Sequence, residues 1–135
     1  MSQLKIELRQ VSASTSEVAI RHHRLLVDRP VEKDGGDSGP MGGELFLVSV
    51  GGCFMSNLLA AIKARNAEIF NVRTEVIGIL TDTPTRFSAL ELNVNAESAD
   101  REMLERLLEV ADRGCIMMNT LRGKIDVSIR IGVTV

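Results

Sequence analysis

Gly43-Glu44-Leu45-Phe46-Leu47-Val48-Ser49-Val50-Gly51-Gly52-Cys53-Phe54-Met55-Ser56-Asn57 decides how this chain folds. Leu45, Phe46, Leu47, Val48, Val50 and Phe54, followed by Leu58, Leu59 and Ile62, lie nearly all round a helix rather than along one stripe. A helix from Glu44 to about Asn66 therefore has little surface suited to water and is expected to be sandwiched between other elements. Leu45 to Ile62 has no charged residue and just reaches the length of a membrane span. Its glycines, serines and asparagine dilute it, so a buried central helix is the better reading. Gly51-Gly52 stands out, because each glycine costs a helix about 1 kcal/mol; backbone or ligand is expected to approach closely beside Cys53.

On the N-terminal side, Leu4, Ile6 and Leu8 alternate with Lys5, Glu7 and Arg9, the period of a half-buried strand. Ser12 to Ser16 reads as a turn, and Val18, Ile20, Leu25, Leu26 and Val27 continue a meander that Pro30 ends. Glu32 to Gly43 is a loop by composition. On the C-terminal side, Phe70 to Thr81, a turn at Pro84, and Leu90, Leu92 and Val94 read as a hairpin. Ser98 or Asp100 can cap a second helix with Met103, Leu104, Leu107, Leu108 and Ala111 as its buried stripe and Gly114 as its closing residue. Ile125, Val127, Ile129, Ile131, Val133 and Val135 give a last period-two strand. Strands, helix, strands, helix, strand is the order of an α+β fold, and 1–135 reads as a single domain.

A net charge of −2 and a pI near 5.7 supply no basic field for phosphates, and the chain has no Trp or Tyr on which bases could stack. Nucleic acid and membrane partners are therefore not expected. Met1-Ser2-Gln3-Leu4 runs into strand-like sequence without a secretory leader, which points to the cytoplasm. In that compartment Cys53 and Cys115, the only cysteines, are redox-active, metal-bound or simply buried rather than a structural staple. A reactive thiol must be held as thiolate by a cation, a helix N-terminus or a hydrogen-bond donor. Cys53 lies more than two turns past Glu44, beyond reach of the helix dipole. A side-chain cation is then expected, with Arg21, Arg24, Arg29, Arg86 and Arg122 as candidates. His22 and His23 have no zinc-ligand spacing with the cysteines, and adjacent strand residues point to opposite faces. Met117 and Met118 read as lining beside Cys115.

The Gly-rich loop with Gly39-Pro40, Glu44-Leu45 opening a helix, Gly51-Gly52-Cys53-Phe54, a second cysteine after an amphipathic helix, Asn119, Arg122-Gly123 and Lys124-Ile125-Asp126-Val127 together resemble the OsmC/Ohr superfamily, the osmotically induced protein C and organic hydroperoxide resistance proteins. The resemblance runs from about Leu25 to Val135 and is nearest the small OsmC-like branch. It implies antiparallel sheets wrapped around a long central buried helix in an intertwined homodimer, with sites at the subunit interface. It also implies a thiol-dependent peroxidase acting on organic hydroperoxides, with Cys53 peroxidatic, Cys115 resolving through an intrachain disulfide, and a dithiol reductant such as a lipoyl group. No metal or organic cofactor is implied. Glu44 and Arg21 are the side chains nearest in place to the family's activating glutamate and arginine. The family glutamate, ten residues before the first cysteine, falls on Gly43 here, and Ile116 stands where a proline is usual. The competing reading is a non-catalytic OsmC-like dimer that binds a small ligand or senses redox state.

Overall fold

The computed structural model describes residues 1–132, so Val133 and Val135 of the expected last strand lie outside the described residues. The chain separates into two compact units, residues 1–46 and the part from Leu47 onward.

The first unit holds an antiparallel meander: β1 (Leu8–Gln10), β2 (Ser16–Ile20) and β3 (His23–Val27), in that order, with Leu8 opposite Val18 and Val18 opposite Leu25. The expected start at Leu4 moves to Leu8: only Leu8–Gln10 pair with β2, and Leu4 and Ile6 are exposed. The glycine loop folds back on β3. Gly35 and Gly39 pass so close to the backbones of Arg29 and Leu26 that a Cβ at either would overlap a carbonyl group. Asp37 N–H donates to the Arg29 carbonyl at 2.9 Å, and Asp28 N–H to that of Pro40 at 3.1 Å.

Asp28, 3% exposed, ties these pieces together. Its carboxylate accepts from Thr15 Oγ1 at 2.8 Å, Arg29 N–H at 2.7 Å and Ser38 N–H at 3.1 Å. Thr15 Oγ1 in turn accepts from Ser12 Oγ at 2.7 Å, which fixes the β1–β2 turn. Burial alone would raise the Asp28 carboxyl; the Ser38 and Arg29 amides and the Ser14 and Thr15 hydroxyls outweigh it and hold it well below the usual carboxylate range.

Helix α1 (Gly42–Ala64) follows. Met41 is its N-cap: its carbonyl accepts from Leu45 N–H at 2.9 Å, while Glu44 Oε1 reaches back to Met41 N–H at 2.9 Å. This is the glutamate half of a capping box. In the second unit β4 (Ile69–Thr81) and β5 (Arg86–Ser98) form the expected antiparallel hairpin. Helix α2 (Arg101–Gly114) and a short α3 (Ile116–Leu121) then lead to β6 (Asp126–Ile131), which joins β5 in parallel. The α+β class stands, but this sheet, ordered β4-β5-β6, is mixed rather than wholly antiparallel, because a helical crossover returns the chain in the same direction.

Thr74, Val76 and Gly78 lie beside Val94, Leu92 and Leu90, and next to these come Ile131, Ile129 and Val127, so three rows build one apolar face. Along β4 this face meets α1 at matched steps. Met55 Sδ accepts from Thr74 Oγ1 at 2.9 Å, a Cβ on Gly51 would lie 2.7 Å from Val76 Cγ2, and one on Gly78 would lie 3.0 Å from Leu47 Cδ2. Four residues of helix and two of strand cover nearly the same length, about 6 Å against 6.7 Å, so the match persists along the contact. The opposite face is polar: Arg130 Nε donates to Asn93 Oδ1 at 2.7 Å, and Asn93 Nδ2 to Glu75 Oε1 at 3.2 Å.

Asp100, one of the two capping residues expected, caps α2 by accepting from Met103 N–H at 3.0 Å, and Leu104, Leu107, Leu108 and Ala111 are buried as patterned. Gly114 does not close that helix. It is the last helical residue, Cys115 is the extended cap, and α3 begins directly beyond. Buried Val50, Phe54, Leu58 and Ala61 put one side of α1 in the core, while Val48 is 63% and Leu59 48% exposed, so within one chain α1 is covered only in part.

Because its folded-state pKa is depressed, Asp28 contributes stability that is complete above about pH 4, the unfolded carboxylate value, and is lost progressively as the pH falls below it. Asp28→Asn turns an amide toward donor N–H groups. Urea unfolding is expected to show a less stable protein at pH 7 and a shallower loss of stability between neutral pH and pH 3.

Candidate active site

Val50, Phe54 and Leu58, each at 0% exposure, face the core and set the rotation of α1. Gly51 and Cys53 are two positions apart, about 200° round the helix. When Gly51 is pressed on β4, the Cys53 sulfur is therefore turned away from that strand, toward the elbow where α2 ends and α3 begins.

Cys115 occupies that elbow in extended conformation, φ −86° and ψ 119°. Two sets of contacts hold α3 against α2: Asn119 Nδ2 donates to the Arg113 carbonyl at 3.1 Å, and Arg122 Nη2 lies 3.3 Å from Asp112 Oδ1 and 3.1 Å from Asn119 Oδ1. These give the Asn119 and Arg122 of the sequence pattern a local task. The bend leaves the N–H groups of Ile116 and Met117 directed at Cys53, with the Cys115 thiol joining them.

The two sulfurs differ. Cys53 is half-buried and Cys115 is fully buried, both as free thiols. Burial pushes the Cys53 thiol up, but the Met117 amide, the Cys115 side chain and the Ile116 amide together outweigh it, so Cys53 is held below its ordinary value. Burial pushes the Cys115 thiol up, and the hydrogen bond and charge it shares with Cys53 raise it further, against the amides of Met118 and Met117. The first proton to leave the pair comes from Cys53, and the thiol left protonated donates to the thiolate. The pair can thus offer one accessible thiolate and one protected thiol within hydrogen-bonding reach.

Within the unit that holds Cys53, backbone amides and the Cys115 thiol are what reach its sulfur. Arg86 is taken up by the carbonyls of Asp82 and Pro84 in the β4–β5 turn, Arg122 by Asp112 and Asn119, and Arg24 by Glu17. Arg21 lies in the exposed β2–β3 turn with φ 55°, and Arg29, also exposed, follows Asp28. Glu44 is at the start of α1 on Met41 N–H; nine residues along one continuous helix put it half a turn round and about 13.5 Å along the axis from Cys53. His22 lies in the β2–β3 turn rather than on a strand, so its ring does not point away from that of His23; the centroids are 4.0 Å apart. No group of His, Cys, Asp or Glu able to hold a metal ion occurs among the described residues.

Sequence reasoning missed Asn57 and the two amides. Asn57 Nδ2 donates to the Cys53 carbonyl at 2.9 Å and lies 3.9 Å from Cys53 Sγ. Its place one turn beyond Cys53 was a usable signal. The amides had none, because they depend on α3, which no periodicity announced.

Solved structures of the same fold cover nearly the whole chain. A hypothetical protein from Aquifex aeolicus superposes with a TM-score of 0.83 at 18% identity, covering 98% of this chain and 97% of that one. An organic hydroperoxide resistance protein OsmC, described as a predicted redox protein, from Legionella pneumophila gives 0.75 at 19% identity, with 98% and 100% covered. The organic hydroperoxide resistance protein OhrB of Bacillus subtilis gives 0.72 at 23% identity, with 95% and 96% covered. No curated protein matches the sequence. The family model described as OsmC-like protein matches residues 35–130, most of the chain and both cysteines, and this protein belongs to that family.

Proposed function

We propose that this protein is a thiol-dependent peroxidase that reduces organic hydroperoxides in the cytoplasm. The observation that carries the reading is the unequal thiol pair: a half-buried Cys53 whose thiolate is favoured, beside a fully buried Cys115 that keeps its proton. Family membership supports a peroxide-related redox role, as do the names of the Legionella and Bacillus proteins that share the fold.

In the first step the Cys53 thiolate attacks the peroxide: an S–O bond forms, the O–O bond breaks, and the alkoxide takes a proton to leave as alcohol. Cys53 is then a sulfenic acid. In the second step the Cys115 sulfur attacks Cys53, forming the S–S bond as hydroxide departs and leaves as water with the Cys115 proton. A dithiol of lipoyl type restores both thiols by exchange. The amides of Ile116 and Met117 stabilise the thiolate at the start of each cycle. Arg21 is assigned to the peroxide, following the family resemblance; Glu44 is assigned to the start of α1, where its carboxylate is already engaged.

The proposal includes a homodimer. Val48, Gly52, Ser56 and Leu59 lie on the side of α1 away from the core and are exposed. Among the described residues nothing outside the helix's own neighbouring turn comes within 4 Å of where a Gly52 Cβ would be, so no packing among them accounts for that glycine. A second copy laid along this stripe would use both its apolar surface and its small residues.

Titration of the reduced protein with cumene hydroperoxide, followed by mass spectrometry, is expected to give an intrachain Cys53–Cys115 disulfide, and Cys53→Ser none. Arg21→Ala should slow the reaction about tenfold or more, the loss typical of one charge-stabilising group, and Glu44→Gln should leave it within about threefold. A protein that does not react returns the reading to a ligand-binding or redox-sensing dimer. The rate of Cys53 alkylation against pH should have its midpoint below about 8.5, the ordinary thiol value, and Cys115→Ala, which removes a donor, should move it upward. A midpoint above the ordinary value would remove the basis for Cys53 as nucleophile. Light scattering should find twice the 14.8 kDa chain mass, with Val48→Glu/Leu59→Glu shifting it toward monomer.

A further inference from the structure

Gly114 is a helical glycine without a conformational reason. Among the described glycines only Gly123 has φ in the left-handed region, so α2 does not need glycine to turn at 114. What the missing side chain leaves is space: a Cβ on Gly114 would lie 3.0 Å from Asn57 Oδ1.

The other end of the Asn57 carboxamide faces Cys53. Nδ2 donates to the Cys53 carbonyl at 2.9 Å, and the same nitrogen is 3.9 Å from the Cys53 sulfur. One short side chain thus spans from the backbone and sulfur of one cysteine to the residue immediately before the other. The Nδ2 bond fixes the carboxamide on α1, and its Oδ1 fills the space that the missing Gly114 side chain leaves, so α1 meets the end of α2 through this one side chain.

We propose that Asn57 is a positioning residue that keeps Cys53 and Cys115 in register, so that the sulfenic acid on Cys53 closes to the disulfide before a second hydroperoxide reaches it. The proposal rests on the peroxide-reducing reading of this site. The competing reaction adds a second oxygen: the sulfenic sulfur attacks another hydroperoxide, an S–O bond forms, the O–O bond breaks, and alcohol leaves behind a sulfinic acid. Disulfide closure needs two sulfurs brought into line; over-oxidation needs only Cys53. Loosening the register therefore slows the first and spares the second.

The test exposes the full chain and its variants to rising cumene hydroperoxide, and reads by mass spectrometry the partition of Cys53 between disulfide and sulfinic acid, together with the initial rate of thiol loss. Because Nδ2 also lies 3.9 Å from the Cys53 sulfur, the initial rate of thiol loss in Asn57→Ala is read separately from the partition. The peroxide concentration that gives half sulfinic acid should fall about fivefold or more, the effect of one lost hydrogen bond. Asn57→Leu, which keeps the bulk but neither donates nor accepts, should do the same. Gly114→Ala should also shift the partition, with Asn57 still in place and α2 no less stable in thermal unfolding. An unchanged partition in Asn57→Ala overturns the proposal, and so does wild-type behaviour in Asn57→Leu, which would leave bulk as the only contribution. Wild-type protein that consumes no peroxide, or forms no disulfide at all, overturns the peroxide-reducing reading itself.

Discussion

The contact of Gly51 with Val76 governs this molecule. A helix with any side chain at 51 would have to stand off from β4, since a Cβ there would lie 2.7 Å from Val76 Cγ2. With glycine, α1 settles onto the strand, Leu47 and Met55 take their places one turn to either side, and the rotation of the helix is fixed. The direction of Cys53 follows from that rotation. The helix-propensity cost of one glycine, about 1 kcal/mol, is small against what fully burying the Val50, Phe54 and Leu58 side chains contributes, about 1.5–3 kcal/mol each.

The chemistry of the site depends on a second, independent piece of geometry. Cysteine reactivity in most proteins is set by a cation or by a long helix pointing at the sulfur. Here the elbow between α2 and α3 brings two amides and a thiol to Cys53, and the hydrogen bonds that keep it bent, Asn119 to Arg113 and Arg122 to Asp112 and Asn119, are themselves polar and exposed. The inequality of the two thiols is then self-reinforcing. Charge on Cys53 raises the proton affinity of Cys115, and the proton kept on Cys115 donates back to Cys53.

Much of this was legible in the sequence where a period could speak. The β4–β5 hairpin, the stripe of α2 and the Asp100 cap follow from two-residue and 3.6-residue repeats and one side-chain oxygen. The start of β1 was misplaced because alternation from Leu4 reports what a strand could do, while β2 decides how much of it finds partners. Gly114 was read as a terminator because glycine after an amphipathic run usually is one; its φ shows that it answers to a neighbour, Asn57, far away in sequence. The parallel pairing of β6 and the existence of α3 had no local signal, and the activating amides belong to α3. Sequence reading thus singled out both sulfurs and the acid at the start of α1, but not the amides beside Cys53, since backbone donors carry no side-chain signature.

Among the described residues, α1 is the one helix long and apolar enough to cross a membrane, with a mean hydropathy of 2.0 over an 18-residue window, and 28% of that window is buried within the chain. The distribution of its residues argues for a different use. Lipid rewards large aliphatic side chains on every outward position, whereas the outward arc here carries Ser49, Gly52, Ser56 and Ala60 between Val48 and Leu59. Small and hydroxyl residues at four-residue steps suit the close approach of another backbone. A three-stranded sheet and a helical elbow cover only part of a helix's circumference, and the arc carrying Val48, Gly52 and Leu59 is exposed within one chain. That uncovered arc includes Gly52, the residue immediately before Cys53.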